Sequence, residues 1–259
     1  MAKPQALVLT GFGINCDYET EFAFNLAGAQ ARRVHVNDLI QTPSLLESYQ
    51  IMAVPGGFSF GDNIASGKVL ANKLKYRLGE AFLSFIEEDK LVIGICNGFQ
   101  VLAKLGVLPD GRSGLKEQKV TLTYNDSGKF EDRWVTLVTE ESPCVFTRGI
   151  KKLELPVRHG EGKFLALNER VLKELNCSKQ VALRYSTPQG ERPAPYPFNP
   201  NGSAEDIAGI CDSTGRIFGL MPHPEAFIHR YVHPRWTRED IAEEGHGMAI
   251  FRNAVGYFA

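Results

Sequence analysis

Four strand-like runs in the first 95 residues alternate with helical patterns, and this alternation limits the possible fold more than any other feature. The runs are QALVL, ARRVHV, QIMAV and LVIGI, each about as long as a typical strand. Strands that alternate with helices are typical of a parallel sheet with right-handed crossovers, so the sequence predicts an α/β, doubly wound fold. Asp17 is predicted to cap the first helix, whose apolar face would contain Phe22, Ala23, Leu26 and Ala27.

The second half of the chain is richer in strand-like segments, which predicts a smaller antiparallel section. KVTLTYN, DRWVTLVT, LELPV and QVALRYS have strand patterns, and the turn DSTG joins DIAGIC to RIFGLM. The segment Thr187–Ser203 has five prolines and is predicted to be a lid, a partner-facing loop or a plain surface excursion. A closing helix is predicted over residues 238–258. Because no clear linker interrupts the sequence, we expect one domain over residues 1–259.

Composition excludes several classes of function. The formal net charge of -1 argues against a nucleic-acid scaffold, which needs concentrated Lys and Arg. No apolar run approaches the roughly 20 residues that span a bilayer, and the first residues resemble a strand more than a signal peptide. The five cysteines are scattered, so they predict neither a disulfide framework nor a metal site. We therefore expect a cytoplasmic protein.

Cys96 lies where the predicted strand LVIGI changes directly into a helical pattern. Gly94 and Gly98 flank it two residues away on each side, as in the nucleophile elbow G-x-S-x-G, whose sharp turn requires small neighbours. The start of a helix favours the thiolate over the thiol, and the N–H of Asn97 would face the same pocket. The alternative is that Cys96 is a small buried apolar residue. Cys16 also follows a strand but lacks paired glycines, so we expect no chemical role for it.

His223 is the strongest candidate for the base that a nucleophilic cysteine requires. It follows the strand-like RIFGLM, and Pro224 biases it toward extended backbone. Residues two apart in an extended segment point to the same side, so Glu225 can orient the imidazole. The alternative is a turn with a surface histidine. Three further histidines lie in polar sequence without a comparable partner: His229, His233 and His246.

Three blocks, PGGFSFGD, GICNGFQ and MPHPE, occur in that order along the chain. Together they resemble the class I, triad-type glutamine amidotransferases, which have the elbow G-x-C-x-G-x-Q and a later block with His and Glu. GINCDYE, HGEGKF, RYSTPQGE and YPFNPNGSAEDIAGICD are similar to the glutaminases that serve phosphoribosylformylglycinamidine synthase in purine biosynthesis. The resemblance covers nearly the whole chain and implies a flavodoxin-like, mainly parallel sheet with helices on both faces.

The resemblance implies a role for each matching residue. Cys96 would attack the side-chain amide of L-glutamine and form a thioester, while His223 would transfer protons and Glu225 would orient it. No metal is implied. The remaining matches form an oxyanion hole and a substrate contact: the backbone N–H groups of Gly57 and Asn97, and the side chain of Gln100.

The resemblance also implies a partner. A large synthetase subunit would use ATP and Mg²⁺, together with the released ammonia, to convert phosphoribosylformylglycinamide to its amidine; a small third subunit is left open. No cofactor is implied for this chain, which has no G-x-x-x-x-G-K-[ST] motif. We expect low activity from the isolated chain, because docking would complete the oxyanion hole. The alternatives are a glutaminase of another pathway, a stand-alone cysteine hydrolase and a non-catalytic regulatory partner.

Two features depart from the family pattern. A basic residue often follows the triad Glu, where this chain has Ala226. The segment Phe227–Gly247 is longer than expected of the short glutaminase form, so the surface that faces the synthetase is not predicted. Separate roles are not assigned within the block His159–Phe164.

Overall fold

The computed structural model describes residues 3–62 and 64–259. Eleven strands are found in this part of the chain: β1 (Gln5–Thr10), β2 (Gln30–His35), β3 (Ile51–Val54), β4 (Leu91–Ile95), β5 (Val120–Thr123), β6 (Glu131–Thr139), β7 (Lys152–His159), β8 (Lys163–Ala166), β9 (Val181–Ser186), β10 (Ile207–Cys211) and β11 (Ile217–Leu220).

The same residues contain eight α-helices: α1 (Asp17–Ala27), α2 (Val36–Gln41), α3 (Lys68–Lys73), α4 (Gly79–Glu87), α5 (Asn97–Leu105), α6 (Val107–Asp110), α7 (Glu169–Cys177) and α8 (Met248–Gly256). A π-helical segment, Leu74–Leu78, joins α3 to α4, and the predicted helix around SLLES is a 3₁₀-helix over Pro43–Ser48. Across the described ranges, no helix has both the length and the apolar character needed to cross a membrane.

Nine of the strands form one mixed sheet in the order β2-β1-β3-β4-β11-β10-β9-β6-β7. The pairs from β2 to β11 are parallel, and those from β11 to β7 are antiparallel. The remaining strands, β5 and β8, form a separate antiparallel pair. Both β3 and β4 are buried at every position, as expected of central parallel strands covered on both faces. The predicted α/β class is therefore confirmed.

The buried face of α1 differs from the predicted one. Phe22 and Leu26 are 59% and 49% exposed, whereas Ala23 and Phe24 are fully buried. The ring of Phe24 meets that of Phe251 from α8 edge-on, with 4.9 Å between the centroids. The prediction was wrong because α8, from the far end of the chain, selects the face of α1 that it covers.

The closing helix is shorter than predicted, since α8 begins at Met248 rather than near residue 238. A Cβ atom on Gly245 would lie 2.4 Å from the carbonyl oxygen of Phe227, and one on Gly247 would lie 1.8 Å from that of Pro224. The chain here passes against the 224–227 turn too closely for any side chain. Those tight contacts hold the segment before α8 in a non-helical path.

The sheet order brings three loops together at one edge. Val54 at the end of β3 pairs with Gly94 of β4, and Ile95 pairs with Leu220 at the end of β11. Because all three strands are parallel, the loops that follow them leave the sheet at the same edge, where ligands of open α/β sheets bind.

Candidate active site

Cys96 occupies a sharp turn between β4 and α5. Its backbone has a positive φ, with φ 51° and ψ -105°, a conformation that non-glycine residues rarely adopt. Its N–H donates to the carbonyl of Leu220 at 2.8 Å, which ties the turn to β11. A Cβ on Gly98 would lie 1.8 Å from the Val54 oxygen, and one on Gly94 would lie 2.6 Å from the Gly98 backbone. Small neighbours are therefore required, as the elbow pattern predicts.

His223 lies just beyond β11, the neighbour of β4. Its N–H donates to the carbonyl of Pro156 on β7 at 2.8 Å. Its Nδ1 lies 2.5 Å from Oε1 of Glu225, and both side chains are almost completely buried. With the Nδ1 proton donated to the carboxylate, Nε2 is the free ring nitrogen, and it has no hydrogen-bond partner within the described ranges. This is the tautomer that a general base requires.

Cys96 and His223, 127 positions apart in sequence, line the same cavity of about 270 Å³. The sulfur of Cys96 lies 3.7 Å from the carbonyl oxygen of Arg158, so β7 forms one wall behind the thiol. The loops after β1 and β3, the start of α1 and the residue before β6 complete the lining, which consists of Asn15, Cys16, Glu19, Gly57, Phe58, Cys96, Phe130, Arg158 and His223.

The charge on His223 is set by its neighbours. Burial alone would lower the pKa of His223, but the carboxylate of Glu225 and the thiols of Cys96 and Cys16 together raise that pKa well above its usual value. An imidazole with a raised pKa can take a proton from a thiol and hold it. His223 is therefore suited to act as the base for a cysteine nucleophile.

The two predicted oxyanion donors lie near the cavity that contains Cys96. Gly57 has φ 142°, and a Cβ there would lie 2.5 Å from the carbonyl oxygen of Gly13, so the loop after β1 packs directly on it. Asn97 is the first residue of α5, where a backbone N–H has no partner within the helix. The structure places Gly57 on the cavity and Asn97 next to Cys96, while their role as donors stays a prediction.

Gln100 lies behind the elbow, outside the cavity lining, and both ends of its amide are engaged. Its Oε1 accepts from Asn97 Nδ2 at 2.8 Å, and its Nε2 donates to the carbonyl of Glu161 at 2.5 Å. Asn97 Nδ2 also lies 3.4 Å from Oδ1 of Asp62. These contacts link the loop after β3, the elbow and the HGEGKF block into one hydrogen-bonded chain. A substrate contact by Gln100 stays a prediction.

His159, at the start of the HGEGKF block, is the centre of a buried polar network. Its Nδ1 lies 3.1 Å from Asn125 Oδ1, which also accepts from the N–H of Gly162, so this nitrogen carries the proton. Its Nε2 lies 3.4 Å from Asn201 Nδ2, which donates to the hydroxyl of Tyr185 as well. Burial, with the charge of the nearby active site, lowers the pKa of His159 to about 4. The block is therefore held from inside by a neutral imidazole.

Sequence reasoning missed several residues of the cavity. Cys16, for which we expected no chemical role, has its sulfur 4.0 Å from Nδ1 of His223. Glu19 and Arg158 bring opposite charges to the cavity lining. The one available signal was the position of Cys16 and Glu19 directly after a first strand, because that strand pairs with β3 in a doubly wound sheet.

In the segment Phe227–Gly247, His229 and His233 both have acidic partners, contrary to the sequence-based expectation. His233 is 2% exposed, and its ring centroid lies 4.6 Å from that of Trp134 and 5.3 Å from that of Phe227. Its Nε2 lies 3.4 Å from a carboxylate oxygen of Glu154 on β7. His229 also has an acidic partner, since its Nε2 lies 2.8 Å from Glu243. The segment packs on β6 and β7 through His233.

Comparison with known proteins identifies the family. A family model described as the CobB/CobQ-like glutamine amidotransferase domain matches residues 3–258. The chain belongs to this family. The amidotransferase resemblance seen in the three sequence blocks is thus confirmed over nearly the whole chain.

Individual members of the family are similar to this glutamine amidotransferase from end to end. Phosphoribosylformylglycinamidine synthase subunit PurQ of Dehalococcoides mccartyi is 51% identical, with 98% of each chain covered. PurQ of Methanococcus maripaludis is 43% identical, covering 98% of this chain and 97% of the relative. Among solved structures, a chain in the structure of PurLQS from Thermotoga maritima has a TM-score of 0.75 and 30% identity, with 100% of both chains covered.

Proposed function

We propose that this chain is the glutaminase subunit of phosphoribosylformylglycinamidine synthase in purine biosynthesis. It hydrolyses L-glutamine to glutamate and supplies the ammonia to a synthetase subunit. The observation that carries the proposal is the shared cavity of Cys96 and His223, in a chain 51% identical to a PurQ subunit over nearly its full length. The names of the relatives favour purine biosynthesis over the alternative that the chain is a glutaminase of another pathway.

The first half of the reaction forms a thioester. The thiolate of Cys96 attacks the carbonyl carbon of the glutamine side-chain amide, and the N–H groups of Gly57 and Asn97 stabilise the negative oxygen. The carbon–nitrogen bond then breaks, and His223 gives its Nε2 proton to the leaving nitrogen, which departs as ammonia. Glu225 keeps the imidazole oriented throughout.

The second half regenerates the thiol. His223, now neutral, takes a proton from water, and the resulting hydroxide attacks the thioester carbon. The carbon–sulfur bond breaks, glutamate leaves, and the Cys96 thiolate faces the imidazolium again. Both halves use the same Nε2 atom, so one histidine is sufficient for the whole cycle.

The charges on the cavity lining match an amino-acid substrate. Glutamine has an α-ammonium and an α-carboxylate, and the cavity is lined by the acid Glu19 and the base Arg158, both exposed. Complementary charges would orient the amino-acid end and direct the side-chain amide toward Cys96. A hydrolase of uncharged amides would gain nothing from this pair.

Exposed aromatic rings next to the cavity support a docked partner. Phe58 and Phe130 line the cavity yet are 45% and 53% exposed, and their centroids are 6.3 Å apart. Exposed apolar groups that cluster in this way mark interaction surfaces. We assign this surface to the synthetase subunit, which would bind ATP and Mg²⁺, with a small third subunit as a further component. The five free cysteines fit the reducing cytoplasm.

The test is glutamate release from L-glutamine by the chain alone and with the purified synthetase, ATP, Mg²⁺ and phosphoribosylformylglycinamide. We expect low release by the chain alone and a clear rise with the synthetase. Cys96→Ala should abolish the activity in both conditions, and Cys177→Ala, which removes an exposed thiol, should not.

Two results would contradict the proposal. Equal release with and without the synthetase would indicate a free-standing hydrolase. No release in either condition, with the chain folded and bound to the synthetase, would indicate a non-catalytic partner.

A further inference from the structure

Three potential metal ligands meet beside the candidate triad. Cys16, His223 and Glu225 each place a ligand atom within 4.8 Å of the other two. The sulfur of Cys16 lies 4.0 Å from Nδ1 of His223, and that nitrogen lies 2.5 Å from Oε1 of Glu225. The three residues come from two distant parts of the sequence, the loop after β1 and the loop after β11. Only the folded sheet assembles them.

The cluster has unused binding capacity. Within the described ranges, Oε2 of Glu225 is buried without a hydrogen-bond partner. Gly56 packs directly on the cluster, because a Cβ there would lie 2.8 Å from Cε1 of His223 and 3.3 Å from the Cys16 sulfur. Buried polar atoms without partners call for an explanation such as an ion.

We propose that Cys16, His223 and Glu225 form a binding site for Zn²⁺. Thiolate, imidazole and carboxylate are the three ligand types that Zn²⁺ prefers. Zinc–sulfur and zinc–nitrogen bonds of about 2.3 and 2.0 Å together span slightly more than the gap between the two atoms, so one ion reaches both. Glu225 exchanges its hydrogen bond to Nδ1 for a bond to the metal.

Binding at this site displaces a proton. The Cys16 thiol must lose its proton before the sulfur can hold the metal, and Nδ1 of His223 must give up its own proton as well. Because the metal and the proton compete for the same sulfur, affinity should weaken as the pH falls.

The metal would inhibit glutamine hydrolysis through the tautomer of His223. With Zn²⁺ on Nδ1, the ring proton moves to Nε2, and that nitrogen can no longer accept a proton from Cys96. This consequence depends on the proposed function, because it assigns His223 as the base. The binding itself does not depend on that assignment.

Binding is tested first, in a full-length Cys96→Ser variant that removes the nucleophile as a competing ligand. Titration with Co²⁺ should give one thiolate-to-metal charge-transfer band per chain, and calorimetry should show one Zn²⁺ bound. Adding Cys16→Ala should remove the band and weaken Zn²⁺ binding by about tenfold or more. Adding Cys177→Ala, the exposed-thiol control, should change neither. The site is ruled out if the band is absent with Cys16 present, or if it survives Cys16→Ala.

Inhibition is tested in the complex with the synthetase. Zn²⁺ should suppress glutamine-dependent turnover but not turnover with ammonium chloride, which bypasses His223. The Cys16→Ala enzyme should need about tenfold more Zn²⁺ for the same inhibition. Equal sensitivity of the two enzymes would show that the inhibition does not come from this site and would overturn the proposed inhibition. One Zn²⁺ bound through Cys16 without inhibition would keep the site and contradict instead the proposed role of His223.

Discussion

At the scale of single residues, the backbone of Cys96 is held in an unfavourable conformation. A non-glycine residue in a sparsely populated region of φ and ψ costs roughly 1–3 kcal/mol and persists only where its surroundings enforce it. Here β11 holds the turn through Leu220, and the close contacts of Gly94 and Gly98 leave the chain no other path. Such local steric demands are legible in sequence. The position of Cys16 next to His223 could not be predicted from the sequence, because it depends on which strands become neighbours in the sheet.

Glu225→Gln tests the orientation of His223. An amide carries no negative charge and can turn its NH₂ group toward Nδ1, so the imidazole loses its raised pKa and its fixed tautomer. We expect kcat for glutamine hydrolysis to fall by roughly 10²- to 10⁴-fold, the range for losing a positioned acid–base group. Steady-state kinetics in the complex with the synthetase would measure it.

Glu19→Gln is the matched control for that change. Glu19 lines the same cavity but does not contact His223 in the structure, so its loss should raise KM more than it lowers kcat. If Glu225→Gln retained the wild-type kcat, Glu225 could not be the orienting group.

At the scale of secondary-structure elements, the strands were more predictable than the helix faces. The apolar runs of β3 and β4 are buried at every position, so composition alone indicates them. The buried face of α1 depends on contact with Phe251, more than 200 residues away in the sequence. The hydrophobic periodicity of α1 alone cannot predict such a contact. The segment Phe227–Gly247 likewise looked polar in sequence because its anchor, His233, is a single residue among charged neighbours.

His233→Ala tests that anchor. The variant removes a buried ring that packs against both Trp134 and Phe227, and it leaves Glu154 without that neighbour. We expect the free energy of unfolding to fall by about 1–3 kcal/mol, measured by urea denaturation.

His229→Ala, in the same segment, provides the comparison. Its side chain is 40% exposed and pairs with an exposed carboxylate, so the loss should stay below about 1 kcal/mol. Equal losses in the two variants would show that His233 does not anchor the segment.

At the scale of the whole molecule, the sheet joins a parallel half to an antiparallel half. Alternating strands and helices predict the parallel order, because the crossover rule leaves few alternatives. The antiparallel half was less predictable: β5 pairs with β8 in a separate sheet, and β6 pairs with both β7 and β9. When several strands have similar patterns, packing decides which of them pair. Neither the partner nor the register can be predicted from the sequence of one strand.

His159 makes the stability of the whole molecule depend on pH. Its pKa of about 4 in the folded state lies below the usual value of 6.5, so between these pH values the unfolded chain binds a proton that the folded chain does not. Its contribution is therefore intact above about pH 6.5, and we expect a loss of up to about 3 kcal/mol as the pH falls to about 4.

The comparison with His159→Asn isolates this contribution from the other titrating groups. The variant should be less stable than wild type near neutral pH, but its free energy of unfolding should depend less steeply on pH below about 6.5. Urea denaturation at a series of pH values measures both slopes. Parallel slopes would mean that His159 does not remain neutral in the folded protein.

The central place of β11 has a consequence for how the protein is made. One side of β4 has no strand to pair with until residues 217–220 have been synthesised and have paired with it as β11. During most of translation the nascent chain therefore carries an open apolar strand edge, the kind of edge that invites aggregation. The strand that closes this edge also delivers His223, so a ribosome-bound chain cannot consume glutamine before its sheet is nearly whole.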